Sequence, residues 1–134
     1  MACGAALGEG PQASGPAADA LVTRIFNHNL YEYRRGVRCL FMMTMSAHDS
    51  HQIVGRLCRE CIAHYVHDVS GHKVNLFFGN PAFVETTRTV VNKPLTALSP
   101  EEDFMLGTLL GYDREQQCRR FLARRGGVPS EAVD

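Results

Sequence analysis

The sequence predicts an α+β domain. Its sheet would be three-stranded, antiparallel or mixed, in the truncated ferredoxin-like order β-α-β-β-α, with about five helices, two of them C-terminal. Three observations carry this. Lys73 to Phe78 alternates in polarity, then passes through Gly79, Asn80 and Pro81 directly into a helix: glycine ends the strand, asparagine caps, and proline suits the first helical position. Ser70-Gly71 is a tight-turn pair that joins this strand to the one before it. Ser46 with Asp49, and Ser99-Pro100-Glu101-Glu102, are N-cap signatures that open two further helices.

Taken in order, residues 1–20 are Ala, Gly, Pro and Ser with almost no large apolar side chain, and are expected to form a flexible tail. Residues 21–125 make the single domain, and 126–134 a flexible C-terminus. Leu21 to Phe26 reads as a short extended patch. Asn29 with Glu32 suggests a capped helix of one or two turns, stopped by Gly36. Val37, Cys39, Phe41, Met43 and Met45 then alternate along a strand whose other face, Arg38, Leu40, Met42 and Thr44, is also partly apolar, so both faces need cover.

The helix after Ser46 carries Ile53, Val54, Leu57, Cys58 and Cys61 as an apolar stripe. Folding back about Ser70-Gly71 opposes Asp68 to Lys73, His67 to Val74 and Tyr65 to Leu76. That register places His67 and Tyr65 beside Val74, Leu76 and Phe78. The strand 74–78 is expected at the centre of the sheet, with the crossover helices on one face. The helix from Pro81 ends at Asn92-Lys93-Pro94. The helix after Ser99 is broadly apolar and stops at Gly111. The last, opened by Asp113 and Gln116, has a narrow stripe of Cys118, Phe121 and Leu122. Leu40, Met42, Val66 and Phe77 would be left on the second sheet face, covered by residues 99–125 or by a second copy of the chain. The open sheet edges also invite pairing across a two-fold axis, which predicts a homodimer.

Composition narrows the function. The 134 residues carry 14 basic and 14 acidic side chains, so no global charge argues for nucleic acid or an anionic membrane surface. Apolar runs fall short of a membrane span, and the N-terminus lacks the basic and apolar regions of a secretory signal. Five cysteines, an odd number, favour reduced thiols in a cytoplasm.

Cys58-x-x-Cys61-x-x-His64-x-x-His67 has the look of a zinc or redox site. Against that, the cysteines continue an apolar stripe at a helix C-terminus, where the dipole disfavours thiolate. His64 and His67, three apart in a strand, point to opposite faces. A small metal- or thiol-dependent protein using Cys58, Cys61 and His64 is the alternative reading. His48 with His51, His28 with Glu32, and the Gly79-Asn80 turn are weaker candidates. No cofactor is called for. The arginines say more: Arg34, Arg35 and Arg38 cluster, and Arg119, Arg120 and Arg124 crowd the last helix. They are either solvated surface or docking faces for an acidic partner. The lack of interleaved aromatics on the last helix argues against nucleic acid.

Three segments carry a resemblance: Asn29 to Gly36, Asn75 to Pro81, and Leu98 to Phe104 running on to Gly111-Tyr112-Asp113. Together, from about Thr23 to Arg125, the chain resembles an uncharacterised bacterial family of short α+β proteins with three strands and five helices. The resemblance implies a homodimer and, through gene neighbourhood, a link to flavodoxins. It implies no activity. Cys58 and Cys61 are not part of its pattern. The expectation is therefore a cytoplasmic, homodimeric protein-binding module whose partner is an acidic protein such as a flavodoxin.

Overall fold

The computed structural model describes residues 16–126. Over these residues the chain forms five α-helices and one antiparallel sheet: α1 Pro16–Arg34, β1 Leu40–Ser46, α2 Ala47–Arg59, β2 Ala63–Asp68, β3 Lys73–Gly79, α3 Pro81–Val90, a 3₁₀ turn Leu95–Ala97, α4 Pro100–Leu109 and α5 Arg114–Gly126. The strand order is β1-β3-β2, so β3 is central as expected, and Val74 to Gly79 are all buried. The predicted caps are in place. Ser46 Oγ accepts from the Asp49 amide at 3.0 Å, Asn80 Oδ1 from the Ala82 amide at 2.9 Å, and Ser99 and Glu102 close a reciprocal capping box.

The N-terminal region departs from the sequence reading. Leu21 to Phe26 is helical, not extended, and Asn29 lies inside α1 rather than at its start. Residues 16–20, assigned to the tail, belong to α1; residues 1–15 and 127–134, where the remaining flexible-terminus expectations fall, lie outside the described residues. Val22, Phe26, Leu30 and Tyr33 recur at helical spacing and pack on the first face of the sheet. There Phe26 meets Phe78 edge-on at 5.3 Å, and Phe41 stacks on Phe78 at 5.5 Å. Ile53 and Leu57 of α2 complete this layer over Met43, Met45, Val74 and Leu76.

The hairpin register is one residue off the expected one. Asp68 pairs with Val74, His67 with Asn75, Val66 with Leu76 and Tyr65 with Phe77. The reason is the loop: the Val69 and Ser70 amides both bond the Lys73 carbonyl, which leaves Ser70, Gly71 and His72 at the tip instead of a two-residue turn. A one-residue slip turns every β2 side chain to the other face. Tyr65 and His67 therefore sit with Phe77 and Asn75, away from Leu76 and Phe78. His67 is buried in a polar row across the sheet. Thr44 Oγ1 donates to Asn75 Oδ1 at 2.7 Å, Asn75 Nδ2 donates to His67 Nδ1 at 3.3 Å, and His67 Nε2 donates to the Lys93 carbonyl at 2.8 Å.

The second face of the sheet is covered by α3 and α4. Leu40 and Phe77 are fully buried against Val84, Val90, Val91, Leu98, Leu106 and Leu110. The β-α-β-β-α order holds, but α2 and α3 lie on opposite faces, where a ferredoxin-like unit would put both on one. Of the two covers foreseen for Leu40 and Phe77, the chain's own helices supply it. Met42 is partly buried there, and Val66 faces the other side of the sheet and is exposed. The expected stripe on α5 is displaced: Gln117 and Ala123 are its buried positions, whereas Cys118 and Leu122 are exposed.

Candidate functional site

The Cys/His stretch does not converge. Cys58 Sγ lies 3.9 Å from His64 Nε2, but Cys61 is off the helix that carries Cys58. Cys61 is exposed with φ +57°, in a Schellman stop: its amide bonds the Cys58 carbonyl and the Ile62 amide bonds the Leu57 carbonyl. The sequence reading of Cys61 as part of the apolar stripe is thereby corrected. The stop falls on a residue with no glycine to announce it. His64 and His67 do take opposite faces, as their spacing requires. Among the described residues no group of three His, Cys, Asp or Glu side chains could hold a metal ion. His48 and His51 are exposed on α2, and His28 pairs with Glu32 at 3.2 Å in the open.

The six arginines singled out from the sequence divide between the two sides of the sheet. On the second side, α5 lies against α4, and Arg119, Arg120 and Arg124 each engage an acidic side chain. Arg119 pairs with Glu115 at 2.7 Å. Arg120 donates to both Asp103 oxygens at 2.6 and 3.2 Å, which raises its pKa further above its ordinary value. Arg124 reaches Asp103 at 3.4 Å and donates to the Leu98 carbonyl at 3.0 Å. Arg38 is a structural clamp. Its guanidinium lies 4.5 Å over the Phe41 ring and donates to the Leu110 carbonyl at 3.3 Å, the C-cap of α4.

On the first side, Arg34 and Arg35 leave the last turn of α1 and face Arg56 of α2. With Asn27, Leu30 and Tyr31 these line a groove of about 480 Å³. Arg34 pairs with Glu60. Arg56 donates to the other Glu60 oxygen at 2.8 Å and to Asn27 Oδ1 at 2.6 Å. Arg35 donates to the Tyr31 hydroxyl at 2.8 Å and meets no carboxylate among the described residues. Three guanidiniums thus face one carboxylate, and the groove is cationic. Arg56 escaped the sequence reading because only the packing of α1 beside α2 brings it to the groove, and Asn27 because α1 was not read as one long helix. The spacing 27, 31, 34 was its only local signal.

A larger hollow, about 520 Å³, opens on the second side between β1, the 3₁₀ turn, α4 and α5. Met42, Leu98, Leu106 and Leu110 line it with Gln117, Arg120 and Arg124.

The family described as Protein of unknown function (DUF2023) matches residues 24–124, which is α1 from Arg24 through α5 to Arg124. The chain belongs to this family. The match spans both arginine-bearing sides and the whole sheet of this DUF2023 chain. No curated protein matches it. No described helix of the DUF2023 chain is long and apolar enough to cross a membrane.

Proposed function

We propose that the chain is a homodimeric, non-enzymatic protein-binding module that presents the α1–α2 groove to an acidic partner. The observation that carries this reading is that Arg34, Arg35 and Arg56, from helices distant in sequence, line one groove in which Glu60 pairs with Arg34 and Arg56 and no carboxylate among the described residues meets Arg35. Uncompensated guanidiniums steer association with an acidic surface and supply bidentate donors once contact is made. The α5 arginines serve this less well, since Glu115 and Asp103 already engage them. A flavodoxin, suggested by the sequence resemblance, is an acidic partner of the right kind.

Support for the dimer comes from β1. Among the described residues Leu40–Ser46 has one neighbouring strand, and it carries no charged side chain that would oppose pairing with a second copy. The β2 edge is less open: Asp68 ends it, and Arg88 donates to the His64 carbonyl at 3.2 Å. Light scattering at micromolar concentration is expected to give twice the chain mass, and a monomer would defeat that part. Binding of a flavodoxin at low salt should weaken at least about tenfold in the pair Arg35→Glu and Arg56→Glu, and stay within about twofold in Arg119→Glu. Equal losses in both, or no binding by the wild-type chain, would remove the groove as the docking site.

A further inference from the structure

We infer that the hollow between β1, the 3₁₀ turn, α4 and α5 binds a small organic monoanion with an apolar body, such as an aryl or branched-chain carboxylate. The first support is Gln117. It is only 8% exposed, lines the hollow, and its side-chain amide has no hydrogen-bond partner among the described residues. Buried amides are nearly always satisfied, and one left without a partner in a hollow points to a group that occupies it. The seat for that amide is made by Gly107, because a Cβ there would fall 2.0 Å from Gln117 Oε1.

The second support is charge. Arg120 spends Nε and Nη2 on Asp103, and Arg124 is turned onto Asp103 and the Leu98 carbonyl. Two guanidiniums against one carboxylate leave one positive charge over, with Arg120 Nη1 still free to donate. One surplus charge fits a carboxylate better than a dianionic phosphate. The third support is the floor of Met42, Leu98, Leu106 and Leu110, which excludes water from a hydrocarbon body but offers it no polar partner. A carboxylate held at the rim would accept from Arg120 Nη1 and from Gln117 Nε2, with its apolar body on that floor. The hollow and the arginine groove lie on opposite sides of the sheet, so failure of either reading leaves the other standing.

The test uses the full chain. Titration calorimetry is run with phenylacetate, with 3-methylbutanoate, and with 2-phenylethanol as a neutral control. At least one carboxylate is expected to bind at least about tenfold more tightly than the alcohol. The Gln117 side-chain amide resonances should shift with the same saturation curve. Gln117→Leu should weaken the carboxylate at least about tenfold while the thermal midpoint holds or rises, because the substitution removes an unsatisfied polar group. Arg120→Gln should abolish the preference over the alcohol. The inference is overturned if neither carboxylate binds, if the alcohol binds as well, or if Gln117→Leu leaves affinity unchanged. A Gln117 amide unmoved on saturation would also overturn it, leaving a trapped water as its partner.

Discussion

The junction between β3 and α3 offers a graded test of the fold. Gly79 has φ +148°, and a Cβ added there would lie 2.1 Å from the Cys39 carbonyl oxygen, 3.0 Å from its carbon and 3.1 Å from Leu40 Cα. All three contacts are backbone, so no side chain can swing aside. That same carbonyl accepts the Asn80 amide at 2.8 Å, the bond that sets the exit of the chain into α3. In Gly79→Ala the disallowed φ costs about 1–3 kcal/mol. Relieving the clash costs about 1–3 kcal/mol more. The strained hydrogen bond adds about 1 kcal/mol. The expected loss of about 3–7 kcal/mol is a large share of the ~5–15 kcal/mol that a domain has. Two other glycines calibrate it. Gly36 has φ +79° and open space around its Cβ, so Gly36→Ala should cost only the left-handed penalty of about 1–2 kcal/mol. Gly71 has open space and no positive φ, and Gly71→Ala should fall within about 0.5 kcal/mol of wild type. Urea unfolding followed by circular dichroism measures all three. If Gly79→Ala costs no more than Gly36→Ala, the close backbone crossing at Cys39 is wrong.

Two further outcomes follow from the polar groups. Asn75→Ala should cost about 1–3 kcal/mol in urea unfolding, because it leaves the buried His67 Nδ1 without its donor; a loss below about 0.5 kcal/mol would mean the row across the sheet is not holding. The Glu102 carboxyl is held below its ordinary range, first by the Ser99 backbone amide and then by the Lys93 ammonium. A depressed carboxylate stabilises above its unfolded value, about 4.3, and that contribution is lost as pH falls through its lower folded value. The stability gap between wild type and Glu102→Gln should therefore be constant near neutrality and shrink below about pH 4, and a gap independent of pH would count against the ion pair.

Much of the frame was legible because it is written in local chemistry. Ser46, Asn80 and Ser99 cap helices through bonds to residues two or three positions on, and no tertiary contact is needed to foresee them. The errors arise where the decision is not local. Val22, Thr23 and Ile25 favour strand by intrinsic preference, yet the segment is helical, with Val22, Phe26, Leu30 and Tyr33 brought by helical spacing onto the face that holds Phe41 and Phe78. The hairpin tip holds one residue more than the Ser-Gly pair suggests, and that count decided which face His67 takes. Leu76 and Phe77 are neighbours in β3 and both fully buried, so its pattern asks for cover on each side without saying which helix supplies it. The candidate sites were the least legible. Arg34 and Arg35 stood out as a cluster, but Arg56 joins them only because α1 lies beside α2. Gln117 looked like one more polar residue on a charged helix until Gly107 and Met42 were seen beside it.

The roof that α3 and α4 build over Leu40 and Phe77 has a consequence for synthesis. Those two side chains leave the ribosome before Leu98, Leu106 and Leu110, which help to cover them. A nascent chain can finish the α1–α2 side while its other side is still incomplete. Until residues 98–110 are free, that side is only partly covered and open to chaperones or to a neighbouring nascent copy.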